Sequence, residues 1–374
     1  MQLAQRFFAT LPDRWQFEIT GALGHAGLLP RVPLARMFLR TLVYCGGQPD
    51  EIASVLRAAT PGRPSAGEAW RGAAASAAQL GEGAYLRAAL YASVANWGVL
   101  DREERARNQA LVERYFARYA ASAQPRLEAV ELMTDEGRIA GIFRAPAGVR
   151  GGVILCHGFD QTKEWMAPFE AAAHAQGFAS LSIDLPGMGA SGVAGSRLRH
   201  LDVLGGVCRA AVDCLQRRVA GPIATFGVSG GGLAALAASA FDPRVCASLG
   251  VGAPYSLARI LPVLPAQQRQ HYLSWTGCSS TAELRGLIDA FELAPALRRA
   301  RARCLIVHGT RDEVVPVADA RELSRVLGPS AELLLVRGDD HMCTHALSQG
   351  AAQEWFRWLA GACPTRRRLL ASNP

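Results

Sequence analysis

The sequence predicts an α/β fold: a mostly parallel sheet of about eight strands with helices on both faces, a helical N-terminal segment and a helical cap insertion. Three observations lead there. Short apolar runs such as Gly151-Gly-Val-Ile-Leu-Cys156 and Arg303-Cys-Leu-Ile-Val-His308 have the length and two-sided apolar character of buried parallel strands. Helical patterns separate these runs, as in strand-helix-strand units. In the middle of the chain, Phe226-Gly-Val-Ser-Gly-Gly231 joins an apolar run to a small-residue helix pattern through a tight turn.

The elements follow in order. Residues 1–124 show helical periodicity broken by Gly46-Gly47, Pro61-Gly62 and Gly81, with the longest helices expected over 85–97 and 102–121. Phe7, Trp15, Phe17, Trp70, Tyr85, Tyr91, Trp97 and Tyr115 read as core or interface residues of this segment, a minority of them free to wall a pocket. Residues 124–126 form a short linker. The runs 127–133 and 138–144, separated by Thr134-Asp-Glu-Gly137, read as the hairpin that opens the sheet. Strands follow at 151–156 and 178–184, with a helix over 162–176 between them. Further strands are expected at 222–228, 246–252, 303–309 and 331–337. Residues 254–301 lack a strand and are placed as a cap over residue 229. The chain therefore divides into a helical domain (1–124), a core in two parts (125–253 and 302–363), the cap (254–301) and a flexible tail (364–374).

The turn at Ser229 carries the chemistry. A serine between strand and helix, with glycines two positions to either side, fits a nucleophile elbow: the hydroxyl projects above the sheet, and the N–H of Gly230 points to where an oxyanion would form. A glycine-rich connection with an incidental serine has the same spelling, so the rest of the chain decides. A serine attacks a carbonyl only if a base takes its proton and a carboxylate holds that base. Asp312 follows the strand 303–309, and His341 follows the strand 331–337, so both stand at strand ends on the edge where open α/β sheets bind ligands. Asp312 also fits a simple turn aspartate. Glu313 is expected to point the other way, Asp339 and Asp340 to shape the loop, and His345 to lie on the final helix. A second oxyanion donor is expected from the N–H of Phe159, after the strand 151–156. His157 reads as structural.

These motifs resemble the α/β-hydrolase superfamily over residues 127–360: His157-Gly158, Asp184-x-Pro-Gly-x-Gly-x-Ser191, Gly227-x-Ser-x-Gly231, Gly309-x-x-Asp312-x-x-Val-Pro316 and Gly338-x-x-His341 occur in sequence. Gly158-Phe-Asp-Gln-Thr-Lys-Glu164 and Asp340-His-Met-Cys343 are similar to stretches of the branch that contains dihydroxypseudooxynicotine hydrolase, the fermentation-respiration switch protein and fungal yellowish-green polyketide hydrolases. Gln161 stands where that branch usually has serine, and Trp165 where a second glutamate is common. The resemblance implies a Ser-His-Asp hydrolase acting, without a cofactor, on esters or on carbon-carbon bonds beside a ketone. Using the same residues, an acyltransferase or cyclase that excludes water is an alternative, and a non-catalytic binding protein is another.

Lys163 is the single lysine among 40 basic residues. It reads either as a solvated residue of a first helical turn or, with Glu164, as a substrate contact. Tyr255, His271, Tyr272 and Trp275 of the cap are further candidates to face substrate, or packing residues at helical spacing. The net charge of +8 is scattered as arginine, without a lysine-rich tract. That disfavours nucleic acid as a partner and leaves open a small carbonyl substrate that is anionic or carrier-bound. No metal-ligand spacing is present. Nine cysteines without a Cys-x-x-Cys pair, and no basic-then-apolar leader, make a reducing cytoplasmic setting the expectation. The uncharged stretch 223–241 contains the elbow and reads as strand, turn and helix, not as a membrane span. A homodimer stays open.

Overall fold

The computed structural model describes residues 33–58, 66–97, 99, 101–159, 161–263, 266–289 and 293–363. Phe7, Trp15, Phe17 and the tail 364–374 lie outside them.

Side-chain alternation marks the edge of the sheet, and its absence marks the centre. Strand β1 (Leu127–Thr134) buries Val130 and Leu132 and exposes Glu131 and Met133, so over this stretch one face meets water, while Leu127, on the other face, is buried against Ala123 and Ile142. It turns back at Gly137, whose φ of 109° a side chain would resist, into the antiparallel β2 (Gly137–Arg144). Strands β3 (Gly151–Cys156), β4 (Phe178–Ile183) and β5 (Ile223–Val228) are buried at every residue and mostly apolar, with Ser180, Ser182 and Thr225 the buried polar exceptions. With β6 (Val245–Val251), β7 (Arg303–Gly309) and β8 (Ala331–Val336) they complete an eight-stranded sheet in the order β1-β2-β4-β3-β5-β6-β7-β8. All pairings from β4 to β8 are parallel. Register sets Cys156 beside Gly227, so the turns leaving β3 and β5 emerge together at one edge.

Among the described residues, five α-helices precede the sheet: α1 (Pro33–Tyr44), α2 (Pro49–Ala58), α3 (Ala66–Gln79), α4 (Tyr85–Val94) and α5 (Arg102–Ser122). Asp101 caps α5 by accepting the Glu104 N–H at 2.7 Å. Trp70, Tyr91, Leu42, Ile52 and Val112 form the core of this bundle, and Trp165 of the later chain is buried among them. The Trp165 indole N–H donates to Ser93 Oγ at 2.9 Å, and its carbonyl accepts from Cys45 Sγ at 3.4 Å. A tryptophan at this position thus fastens the helical bundle to the sheet.

One continuous helix over 162–176 is not what forms. Residues Lys163–Met166 make a tight 3-10 turn, and α6 (Ala167–Ala175) begins after it with Pro168 in its first turn, where a proline lacks no needed donor. Helix α6 covers one face of the sheet, where Phe169, Phe226 and Phe356 stack in a row with centroids 4.7 and 4.9 Å apart. Helices α7 (Leu201–Gln216) and α8 (Gly230–Phe241) cover the other face. Between β6 and β7 the chain is helical, with α9 (Ala266–Thr276), α10 (Thr281–Asp289) and α11 (Leu293–Arg299). Helices α12 (Val317–Leu327) and α13 (Ala351–Ala362) follow β7 and β8. No helix among the described residues is long and apolar enough to cross a membrane.

Two histidines are held neutral by burial. Desolvation lowers His174, which meets Ser180 Oγ at 3.0 Å and lies near Arg144, from 6.5 to about 4. Burial lowers His157 as well, against the pull of Asp184. The unfolded chain takes up these protons below pH 6.5 and the folded chain does not, so stability falls as pH drops through that window. We expect the thermal midpoint to decline between pH 6.5 and about 4, and His174→Gln to flatten that decline in calorimetry.

Candidate active site

Ser229 occupies a backbone conformation that a serine rarely adopts, φ 53° and ψ −125°, between the end of β5 and the first residue of α8. Close approach enforces it. A Cβ on Gly227 would lie 2.1 Å from the Gly231 carbonyl oxygen, and one on Gly231 would lie 2.3 Å from the carbonyls of Cys156 and His157. Only glycine fits either position. The bend is tied down by the Ser229 N–H, which donates to the Val251 carbonyl at 2.7 Å, and by the Gly232 N–H, which donates to the Ser229 carbonyl at 2.9 Å.

Residues 229, 312 and 341, far apart in sequence, meet above this edge. Ser229 Oγ lies 2.9 Å from His341 Nε2, and His341 Nδ1 lies 2.7 Å from Asp312 Oδ2. A carboxylate only accepts, so Nδ1 carries the proton and Nε2 is free to accept from the serine. Asp312 is fully buried, and its Oδ1 accepts the N–H groups of Val314 and Val315 at 2.8 and 2.7 Å. Burial alone would oppose its charge. The adjoining His341 and His308 rings outweigh that and hold the carboxyl below the usual carboxylate range. His308 is a contact that the sequence reading did not single out: its Nε2 lies 3.2 Å from Asp312 Oδ2 and 3.0 Å from the Val315 carbonyl. In sequence it is the end of the strand 303–309, and its position four residues before Asp312 is the one local signal of the contact.

The rivals fall elsewhere. Glu313 is exposed. Asp339 accepts the N–H groups of Asp340, His345 and Ala346, and Asp340 those of Met342 and Thr344, so both carboxylates brace the loop that presents His341. Arg40 of α1 reaches Asp340 at 3.4 Å. His157 is buried; its Nε2 accepts the Leu185 N–H at 3.1 Å, which puts the ring proton on Nδ1, 2.7 Å from the Gly158 carbonyl.

Gly158 runs against the serine, a Cβ there lying 3.3 Å from Ser229 Cβ, and the Phe159 ring lies on Gly230. Gly230 is the first residue of α8, so its N–H has no partner four residues back in the helix. Above Phe159 sit the cap aromatics: Trp275 with ring centroids 4.4 Å away and Tyr272 at 5.7 Å, edge on. Trp275 also lines a cavity, whereas Tyr272 is packed behind it. Tyr255 faces away, packed against the Leu233 and Leu236 side of α8, with its N–H on Asp319. The His271 side chain is outside the described residues.

Lys163 and Glu164 are corrected by the structure. Neither is solvated. Both are buried, with Lys163 Nζ 2.8 Å from Glu164 Oε1 and 3.0 Å from Asp184 Oδ2. The Lys163 backbone N–H reaches Asp184 Oδ1 at 2.8 Å, and the Ala190 N–H reaches Asp184 Oδ2 at 2.9 Å. Desolvation disfavours the ammonium, but Asp184 and Glu164 outweigh it and raise the lysine above its ordinary value. This charge cluster ties the loop after β3 to the loop after β4, under the floor of the site.

The sheet order and the turns at its edge are those of the α/β-hydrolase fold. No family model matches it. A curated relative, 2,6-dihydropseudooxynicotine hydrolase of Paenarthrobacter nicotinovorans, is 27% identical over 284 residues, covering 73% of this chain and 75% of the relative. The crystal structure of 2,6-dihydroxy-pseudo-oxynicotine hydrolase superposes with a TM-score of 0.74 at 23% identity, over 87% of this chain and 95% of that one. Wild-type AbyA5 superposes with a TM-score of 0.72 at 20% identity, over 86% and 92% of the two chains. These structural likenesses are likenesses of fold, and they extend through the helical N-terminal segment.

Removing the Lys163 ammonium would leave two buried carboxylates facing each other. We expect Lys163→Met to cost about 3–5 kcal/mol of stability in urea unfolding, whereas an exposed cation such as Arg107, paired only with Glu103, costs less than about 1 kcal/mol when replaced by Met.

Proposed function

We propose that the chain is a serine hydrolase whose nucleophile is Ser229, whose general base is His341 and whose orienting carboxylate is Asp312. The observation that carries this reading is the continuous hydrogen-bonded row from Ser229 Oγ through both ring nitrogens of His341 to Asp312. His341 takes the serine proton at Nε2 as the alkoxide attacks a carbonyl carbon, and the ionised Asp312 stabilises the imidazolium. Charge collects on the carbonyl oxygen, held by the N–H groups of Gly230 and Phe159, each worth ~3 kcal/mol in systems of this kind. His341 then returns its proton to the leaving group. Water, deprotonated by the same ring, resolves the acyl-enzyme.

The substrate class is an ester or a carbon-carbon bond beside a ketone in a small or polyketide-like carbonyl compound. The hydrolase name of the 27% identical relative supports hydrolysis, and the aromatic cover of Phe159, Tyr272 and Trp275 suits an apolar carbonyl substrate. Transfer of the acyl group to another nucleophile uses the same first half-reaction. A panel of aryl esters of increasing chain length, run beside β-diketones and with added alcohol or amine, separates these outcomes. Hydrolysis is expected to outrun transfer; the reverse would make the protein an acyltransferase.

Two variants test the row itself. Ser229→Ala is expected to abolish labelling by a neutral fluorophosphonate probe and to lower kcat by about 10⁴-fold or more. Asp312→Asn, which leaves the imidazole in the wrong tautomer, is expected to lower kcat by about 10⁴-fold while the protein stays folded. Retention of wild-type turnover by either variant would remove Ser229, His341 and Asp312 from the chemistry.

A further inference from the structure

The cavity that Trp275 lines is walled by none of Ser229, His341 and Asp312. It is small and partly open to solvent, and it lies between the helical N-terminal segment, the loops after β3 and β4, and the cap. Trp97 and Trp275 line it, together with Asn96, Arg105, Gln161 and Thr162. Gln161 connects it to the site, because its Oε1 accepts the N–H of Gly158, the residue that passes against Ser229.

The polar groups in this wall are poorly matched to one another. Arg105 donates to Ser274 Oγ and, at 3.4 Å, to the Gly187 carbonyl, which leaves most of its five N–H groups unused. No acid is within ion-pair reach of it among the described residues, since its neighbours Glu103 and Glu104 are engaged by Arg107 and Arg71. The charges that bear on it make matters worse. Burial and the nearby Arg197 both lower its pKa, and Arg197 is in turn crowded by Arg102 and Arg199. Two further groups, Thr162 Oγ1 and Asn96 Oδ1, are buried without a hydrogen-bond partner. A desolvated guanidinium among other cations, next to an unpartnered hydroxyl and amide, costs stability in the free protein. A bound anion would relieve the guanidinium and the Thr162 hydroxyl, both of which can donate to it, whereas Asn96 Oδ1 is an acceptor and needs a donor instead.

We propose that this cavity binds a carboxylate of the substrate, with Arg105 as its recognition residue and the Thr162 hydroxyl as an auxiliary donor; the proposal rests on Ser229 acting as the nucleophile. A carboxylate suits the planar fork of one arginine between two flat indole walls. The tetrahedral dianion of a phosphate would need more donors than this wall supplies. The substrate would then be a carbonyl compound with an acidic group a few bonds from the bond that is cleaved.

The experiment compares the 4-nitrophenyl half-ester of glutaric acid with the same ester whose carboxylate is methylated. Wild-type protein is expected to favour the acid in kcat/KM by about tenfold or more, with the difference in KM and a fall toward unity in 0.5 M salt. Arg105→Met is expected to lose that preference, and Arg105→Lys to keep part of it. Labelling of wild-type protein by a neutral fluorophosphonate separates two failures. Without labelling, the serine-hydrolase reading falls and takes this inference with it. With labelling, equal or preferential use of the methylated ester, cleavage of neither ester, or a preference for the acid that survives in Arg105→Met overturns this inference alone. If Arg105→Met does not fold, the wild-type ratio and its salt dependence still decide.

Discussion

The architecture turns on one steric constraint, the near-contact of β5 and α8 at Gly227 and Gly231. A carbonyl oxygen sits where any side chain on either residue would begin, so strand and helix can meet only if both stay bare. The connecting residue is thereby forced to a positive φ. That strain is held by the parallel sheet on both sides of β5, and it lifts Ser229 clear of the sheet. The other two members of the row arrive by the same logic, from the ends of β7 and β8. Their loops are braced independently: Asp312 by two backbone N–H groups, and the loop that presents His341 by Asp339 and Asp340.

A second layer of organisation lies beneath the reactive edge. Lys163 joins two loops through Asp184 and Glu164, and Trp165, two residues on, buries its ring in the helical bundle. Within three residues the chain thus crosses from a buried ion cluster to an apolar anchor. The short 3-10 turn makes this possible, since a regular α-helix through Lys163–Met166 would spread these side chains around its axis in a different order.

How much of this could be read from the sequence depended on range. The strands, their parallel order after the opening hairpin, the elbow and the positions of Asp312 and His341 are written in local patterns: apolar runs, turn residues and strand ends. The meeting of Ser229, Asp312 and His341 follows once those strands lie side by side. Lys163 was not legible in the same way, because its solvated appearance within a Thr-Lys-Glu turn is cancelled by Asp184, 21 residues away. Arg105 was hidden as one arginine in a polar helix, distinguished only by which neighbours lack charges to offer it. Tyr255 and Tyr272 share a cap with Trp275, but only the fold separates the residue on the cavity from those behind it.

The fastening of the helical bundle by Trp165 bears on how such a protein can change over time. Ser93, Asn96, Trp97 and Arg105 all come from the bundle, whereas Ser229, Asp312 and His341 come from the sheet. Exchanges among the first set redraw one wall of the cavity and leave the strained elbow untouched. The cavity wall and the strained turn thus lie on separate stretches of the chain, so one can be altered without rebuilding the other.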